Sequence, residues 1–302
     1  MGKASRSKQR LTTREKIAIQ RAAERRAQVR NRISLAIGSA VVVVGLVVAL
    51  VVVKAMSTHS KAKALPTGAT LSAIVSKVTT VPASTLAAAG SGPASGSGKV
   101  TAPSPLSGQP ALTQNGKPQI VYIGAEYCPY CATERWAMAV ALSRFGTFSN
   151  LGATHSDAND VYPNTSTLTF YKSSYTSKYI VFSPVEEQDP NKKPLQTPTA
   201  QQQALVTKYD APPYVPSGSQ GSIPFIDIGN KFLISGASFS PQLLQGKTWA
   251  QIAAALSDPS NPIGKSVGGT ANYMTAAICS LTKNQPANVC SAPSITALNG
   301  KV

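Results

Sequence analysis

The motif Cys128-Pro129-Tyr130-Cys131 is the part of this 302-residue chain whose residue types and spacing point most directly to chemistry. A thiolate attacks disulfides, and a second thiol at this spacing can resolve the mixed disulfide by intramolecular attack. The order of the two predicts Cys128 as the attacking thiol and Cys131 as the resolving thiol. The pair is therefore a candidate redox-active centre.

A Cys-x-x-Cys pair is also half of a zinc site, or an inert structural pair. Zinc would need two further ligands, and Cys279 and Cys290 lack the spacing of a zinc knuckle. The two histidines, His59 and His155, fall in a predicted linker and a predicted loop. We expect no metal ion and no cofactor.

The elements around the motif must hold the first sulfur where a thiolate is stable. The apolar, β-branched run 119–124 predicts a buried strand, and 132–145 predicts a helix that ends before Gly146. The start of a helix offers free N–H groups and the positive end of the helix dipole, which stabilise a thiolate. Much later, 223–228 and 231–235 predict a β-hairpin that a proline opens.

Hydrophobic patterning predicts further elements beyond the motif. These are strands at 167–171 and 178–182, a loop over 147–165, and helices at 201–209, 241–256 and 271–281. Glu186 and Glu187 follow the second of these strands, and we expect an exposed acidic strand end there, with a cation site as the alternative.

The order of strand, Cys-x-x-Cys at a helix start, proline-opened hairpin and helix resembles the thioredoxin fold. The resemblance implies an α/β, thioredoxin-like domain over residues 114–302, with an insertion and a C-terminal helical extension. It also implies that the Ile223–Pro224 bond is cis and faces the cysteines. Ile223 would then be free to pair with an extended substrate segment, which makes Ile223 and Pro224 the candidate substrate-binding residues.

One position departs from the thioredoxin pattern. Thioredoxins have a buried Asp on the strand before the motif that helps to deprotonate the resolving cysteine, and Tyr122 stands at the matching position. Glu126 and Glu134 are the candidate carboxylates for proton transfer, and Arg135, one helical turn after Cys131, is a candidate to stabilise a thiolate. For each of these three charges, a solvated surface position is the alternative.

A closer resemblance covers the chain from about Gly116 to the C-terminus. The strings that support it are GAEYCPYCATERWAMAVALSRFGTF, SIPFIDIGNKFLISGASFSP and AAICSLTKNQPANVC. They resemble a family of membrane-anchored, thioredoxin-like bacterial and archaeal proteins that is catalogued as a domain of unknown function. This resemblance implies a fold and an anchor, but no substrate or reaction.

Cys279 and Cys290 are a second pair of cysteines. Outside the cytoplasm a stabilising disulfide is the default expectation, with a contribution on the order of 2–3 kcal/mol. A relay of oxidising equivalents to or from Cys128 and Cys131 is the functional alternative.

Charge and hydropathy divide the N-terminal region into a basic and an apolar segment. The chain has 29 Lys and Arg against 12 Asp and Glu; residues 1–32 are strongly basic, whereas 33–53 hold no charged side chain. A helix over 33–53 would span roughly 31 Å, close to the hydrocarbon thickness of a bilayer. We predict a single transmembrane helix at 33–53 rather than a signal peptide, with 1–32 in the cytoplasm.

Residues 54–113 are predicted to be an extracytoplasmic linker. Gly, Pro, Ser, Ala and Thr dominate 82–110, and such a segment buries too little apolar surface to offset the entropy of ordering it. Only 71–81 is apolar enough for a short helix or strand. We therefore expect a flexible connection between the membrane and the domain at 114–302.

These features favour a membrane-tethered, extracytoplasmic thiol–disulfide oxidoreductase that acts on thiols of exported proteins. The expected partners are the lipid bilayer, those exported proteins and an unknown electron donor or acceptor in the membrane. The alternative is a non-catalytic thioredoxin-fold scaffold at the cell surface. Nucleic-acid binding by residues 1–32 ranks last, and we expect no nucleic-acid partner, because the part of the net charge of +17 that lies outside that segment is spread thinly.

Overall fold

A computed structural model describes residues 64–302 of the chain. The α-helices are α1 (Gly68–Thr79), α2 (Ala83–Ala89), α3 (Pro129–Leu142), α4 (Ala200–Tyr209), α5 (Trp249–Ala255), α6 (Pro262–Leu281), α7 (Ala287–Cys290) and α8 (Pro293–Thr296). The strands are β1 (Ser104–Pro105), β2 (Thr113–Gln114), β3 (Lys117–Gly124), β4 (Gly146–Ser149), β5 (Gly152–His155), β6 (Ser166–Thr169), β7 (Ser174–Ser177), β8 (Val181–Glu186), β9 (Phe225–Ile228) and β10 (Phe232–Ser235).

Strand β3, which leads into the cysteine motif, is the centre of a six-stranded mixed sheet. It pairs in parallel with β8 and antiparallel with β9, so that Ile123 lies opposite Val185 on one side and Phe225 on the other. The hairpin β9–β10 extends the sheet to β1, and β2 pairs with the first residues of β3. Outside this sheet, β4 pairs with β7 and β5 pairs with β6.

Both faces of β3 are covered, which explains its continuous apolar run. Ile120 and Tyr122 point into the larger core with side chains of α3, α5 and α6. Val121 and Ile123 point to the opposite face and pack with Leu205 of α4. The described part of the protein is thus a mixed α/β structure with helices on both faces of the sheet. Strand β3 ends between these two layers of helices, and the cysteine motif follows it directly in the chain.

The structure differs from the predicted elements in several places. Of the strand predicted at 178–182, only the last two residues belong to a strand, β8, and the preceding strand β7 was not predicted. The predicted loop 147–165 contains most of β4 and all of β5. The predicted helix 241–256 is divided into a 3₁₀ turn and α5 by Gly246, which has a positive φ of 72°. The helix predicted at 271–281 begins earlier, at Pro262, because its first half uses small glycine and serine side chains that gave no apolar periodicity.

The prediction of a flexible linker is wrong for the described part of 54–113. Residues 83–89 form helix α2, and Leu86 is only 4% exposed, within the larger core. Asn272 of α6 fixes this helix by donating from Nδ2 to the main-chain oxygens of Leu86 and Gly90. The segment is therefore docked on the domain.

The segment around α2 and helix α6 both present small residues where they meet. This explains why the composition of the segment wrongly predicted a flexible linker. A Cβ on Gly269 would lie 2.4 Å from the main-chain nitrogen of Gly92, and a Cβ on Gly268 would lie 2.7 Å from the Cβ of Ala89. The backbones therefore approach so closely that main-chain packing and hydrogen bonds replace the burial of large apolar side chains.

The predicted transmembrane helix at 33–53 lies outside the described residues, as does the basic segment 1–32. Among residues 64–302, no single helix has both the length and the apolar character needed to cross a bilayer. Helices α1 and α2 meet that test only when they are taken together, across a bend of 63°.

Replacing Leu86 with alanine tests the docking of the segment that composition predicted to be flexible. We expect Leu86→Ala to lower the free energy of unfolding by about 2–4 kcal/mol, because it leaves a cavity in the core. Leu65→Ala is the matched control; Leu65 is 46% exposed, and its loss should cost less than about 0.5 kcal/mol. Urea unfolding of the full-length variants measures both, and equally small effects would contradict the docked arrangement.

Candidate active site

Cys128 is the N-cap residue of helix α3. The main-chain N–H of Cys131 donates to the Cys128 sulfur across 3.3 Å, so that sulfur takes the place of the usual oxygen cap. Pro129 occupies the first helical position, where its missing N–H leaves no hydrogen bond unmade. The first sulfur of the motif therefore lies at the positive end of a helix.

The two thiols of the motif have unlike environments. Cys128 is 5% exposed and Cys131 is fully buried, and both are free thiols. The pKa of Cys128 lies below its ordinary value, chiefly because a side-chain hydrogen bond from Cys131 stabilises the thiolate. Burial raises the pKa of Cys131 well above its ordinary value. Cys128 is therefore the thiol that ionises first.

The peptide bond between Ile223 and Pro224 is cis and lies against the motif. The carbonyl oxygen of Ile223 accepts a hydrogen bond from the Cys128 thiol, with 3.5 Å between oxygen and sulfur. Pro224 is buried and Ile223 is partly exposed. The N–H of Ile223 donates to no acceptor within residues 64–302, so this backbone position has an unused donor beside the first sulfur.

A buried ion pair lies beneath the motif. Arg135 of α3 donates from Nε and Nη2 to the two carboxylate oxygens of Glu186, at 2.7 and 2.6 Å, and from Nη2 to the main-chain oxygen of Ala125 at 2.7 Å. Both charged side chains are shielded completely from solvent. The third nitrogen, Nη1, has no acceptor in the described part of the chain. The charge of Arg135 favours the thiolate form of Cys131.

Tyr122 and Gly124 of β3 close the space below Cys131. The Tyr122 hydroxyl donates to Oε2 of Glu186 across 3.5 Å, and burial raises its pKa well above the ordinary value, so the hydroxyl keeps its proton. A Cβ on Gly124 would lie 2.3 Å from the Tyr122 hydroxyl and 2.9 Å from the Cys131 sulfur. Glycine at this position therefore allows the sulfur and the hydroxyl to lie side by side against the strand.

Glu126 and Glu134, the carboxylates predicted to assist proton transfer, are buried, so the solvated alternative is wrong for both. Glu126 accepts hydrogen bonds from the hydroxyls of Thr154 and Thr169. Glu134 accepts from the main-chain N–H and the hydroxyl of Ser238. Within residues 64–302 neither carboxylate is hydrogen-bonded to a cysteine sulfur, and their role in proton transfer stays a prediction.

Glu186 is the residue at this site that the sequence analysis placed wrongly, since it is fully buried and not an exposed strand end. The reason is topological, because β8 runs parallel to β3 and its carboxyl end lies at the same end of the sheet as the motif. Its partner Arg135 is 51 positions away in the chain. The available sequence signal for Glu186 was a carboxylate at the end of an apolar strand. Its burial could be inferred from that signal only if the order of the strands in the sheet was known.

The surface beside Cys128 is apolar and accessible. Tyr130 is 41% exposed and Val161 is 67% exposed, and they are two of the three large hydrophobic side chains exposed within residues 64–302. The ring of Tyr130 meets that of Tyr162 edge to face, with 6.2 Å between the ring centroids. Tyr130, two positions after Cys128 in the motif, therefore presents exposed aromatic surface next to the cysteine pair.

The other two cysteines are already bonded. Cys279 at the end of α6 and Cys290 of α7 form a disulfide, which leaves Cys128 and Cys131 as the free pair. Among the described residues, no group of three or more His, Cys, Asp and Glu side chains is arranged to hold a metal ion.

Residues 106–280, more than half of the chain, match the model of a family described as "Domain of unknown function (DUF929)". The chain belongs to this family. No match was found among the curated proteins or among the solved structures. The matched range contains the cysteine motif, the Arg135–Glu186 ion pair and the Ile223–Pro224 bond.

The difference between the two thiols predicts selective alkylation. At pH 7, iodoacetamide should modify Cys128 much faster than Cys131, because only Cys128 has a lowered pKa and any solvent contact. Mass spectrometry of peptides from the briefly treated full-length protein measures both sites. Equal labelling, or faster labelling of Cys131, would contradict the described geometry.

The buried carboxyl of Glu134 predicts a dependence of stability on pH. Burial raises its pKa from 4.5 to about 7, so between these values the folded protein holds a proton that the unfolded chain releases. The contribution of Glu134 to stability therefore falls as the pH rises through this window. In urea titrations, the free energy of unfolding should decrease less between pH 4.5 and pH 8 for Glu134→Gln than for the wild type. An identical decline in both proteins would show that Glu134 does not titrate in this way.

Proposed function

We propose that this protein is a thioredoxin-like thiol–disulfide oxidoreductase in which Cys128 is the nucleophile and Cys131 is the resolving thiol. The main support is the position of the Cys128 sulfur, which caps helix α3, has a lowered pKa and lies 3.5 Å from the carbonyl oxygen of Ile223. A structural cysteine in apolar surroundings would instead have a raised pKa and no polar partner.

The order of elements supports the thioredoxin-like part of the proposal. Strand β3, helix α3 and the parallel strand β8 are followed by α4, the antiparallel hairpin β9–β10 on the other side of β3, and α5. Strands β4 to β7, which lie between α3 and β8 in the chain, form the insertion, and α6 to α8 form the C-terminal extension. Because a fold does not fix a reaction, the assignment of the activity rests on the cysteine geometry.

The proposed reaction moves two electrons between the cysteine pair and a disulfide. The Cys128 thiolate attacks one sulfur of the substrate disulfide, that bond breaks, and the second substrate sulfur leaves as a thiolate. Cys131 loses its proton and its thiolate attacks the Cys128 sulfur, which releases the first substrate sulfur as a thiolate. The two substrate thiolates take up two protons, equal in number to those that Cys128 and Cys131 released. The substrate is reduced to a dithiol and the pair is oxidised to a disulfide; the reverse sequence oxidises a substrate dithiol. A dithiol or disulfide partner restores the pair.

The attack of Cys131 on the mixed disulfide requires a negative charge on a buried sulfur. We propose that the guanidinium of Arg135 stabilises this charge. Glu186 holds the guanidinium in place through two hydrogen bonds, while Nη1 keeps an unused donor. The Tyr122 hydroxyl completes the polar side of this space. Glu186 is a positioning residue in this scheme, since it acts through Arg135.

The proposed substrate is an extended segment of an exported protein. The free N–H of Ile223 offers a donor for strand-like pairing next to the reacting sulfur. Tyr130, which is exposed within the motif itself, offers aromatic surface for the same segment.

The proposed location is the outer side of a membrane, with residues 33–53 as the anchor, residues 1–32 in the cytoplasm and a membrane electron donor or acceptor as partner. The uncharged run behind a basic segment supports this orientation. The disulfide between Cys279 and Cys290 also supports it, because such bonds persist mainly in oxidising compartments.

Trapping of the mixed disulfide tests the proposed reaction. With a disulfide-bonded peptide as probe, Cys131→Ser should accumulate a covalent adduct at Cys128, because no second thiol is present to resolve it. Cys128→Ser, the matched control, should form no adduct, since Cys131 is buried and its pKa is raised. Non-reducing mass spectrometry detects the adduct. A folded Cys131→Ser protein that forms none would overturn the proposal and favour a scaffold with an unreactive cysteine pair.

A further inference from the structure

An open cavity of about 540 Å³ lies between helix α2, the chain that follows α3, and helices α7 and α8. Its volume is within the range of small-molecule sites. Its lining is mostly small or apolar, and Arg144 is its only charged member. The cavity shares no lining residue with the cysteine site, so a ligand there is independent of the proposed thiol chemistry.

Arg144 is fixed in position by neutral groups of α6. Its Nη1 donates to Oδ1 of Asn272 at 3.1 Å and to the hydroxyl of Thr275 at 3.3 Å. Asn272 is itself fully buried, and its amide is oriented by the carbonyl oxygens of Leu86 and Gly90. The guanidinium therefore has one anchored nitrogen, while Nε and Nη2 donate to no acceptor within residues 64–302.

No carboxylate in the described part of the chain pairs with Arg144. The two ion pairs among these residues join Arg135 to Glu186 and Lys192 to Asp157. Burial without an opposite charge lowers the pKa of Arg144 to about 10. Taking a charge out of water without a partner costs free energy, so an anion at this position would recover part of that cost.

We infer that this cavity binds a small organic monocarboxylate with a compact apolar group. The planar guanidinium edge formed by Nε and Nη2 matches the two oxygens of a carboxylate. One cation balances one negative charge, which favours a monocarboxylate over a dianionic phosphate. Leu86 and Val289 supply apolar surface for the remainder of such a ligand, and Ser84 and Asn288 supply polar groups at the lining.

Calorimetric titration of the full-length protein with isovalerate tests the inference, with isovaleramide as the uncharged analogue of the same shape. Isovalerate should bind and isovaleramide should bind at least tenfold more weakly, because the amide lacks the charge-assisted pair. Arg144→Gln should weaken isovalerate binding by about tenfold or more. Lys99→Gln removes one positive charge from an exposed position and is the matched control, which should bind like the wild type.

A second variant separates the cavity from the folding role of Arg144. Ala87 lines the cavity from an exposed position, so Ala87→Trp should fill the space without disturbing the core and should abolish binding while Arg144 remains. Equal binding of isovalerate and isovaleramide, unchanged binding in Arg144→Gln, or no binding of isovalerate to the wild type would overturn the inference.

Discussion

The ion pair between Arg135 and Glu186 is the interaction on which the arrangement of this site depends. It joins helix α3, one turn after Cys131, to the end of strand β8, and it also ties down the main chain at Ala125, where β3 turns into the motif. Two charges without solvent contact are costly unless they are paired, and removing one partner of such a pair typically costs about 3–5 kcal/mol. The pair therefore fixes the helix start relative to both parallel strands.

The asymmetry of the two thiols has local causes at the start of helix α3. The side-chain hydrogen bond from Cys131, followed by its main-chain N–H, lowers the pKa of Cys128, while burial raises the pKa of Cys131. The cis bond at Pro224 brings the Ile223 carbonyl oxygen to the first sulfur and leaves the adjoining N–H unused. A reactive outer thiol, a protected inner thiol and an open backbone edge are the three properties that thiol exchange with a polypeptide would need.

Local patterns predicted the elements next to the motif, because strand β3 is a continuous apolar run and the capping role of Cys128 follows from a helix start. Contacts between distant segments were not predictable in this way. Glu186 resembled a surface charge until the parallel pairing of β3 and β8 placed it under the motif, and the Gly- and Ala-rich segment around Leu86 resembled a flexible linker, although its small residues allow close packing on α6. Amino-acid composition indicates how much apolar side-chain surface a segment can bury. It does not reveal the close backbone packing and the hydrogen bonds that hold that segment in place. The predicted anchor at 33–53 stays a prediction.

If Cys128 and Cys131 form a reversible two-electron couple, as we propose, this pair has a reduction potential that can be measured in the full-length protein. The protein would be equilibrated in glutathione buffers of graded ratio, quenched with acid and alkylated, and each cysteine pair quantified by mass spectrometry. We expect one two-electron transition for Cys128–Cys131 within the buffered range, while Cys279–Cys290 stays oxidised throughout. A pair that remains a dithiol under the most oxidising buffer, or that ends as a glutathione adduct with no internal disulfide, would contradict it.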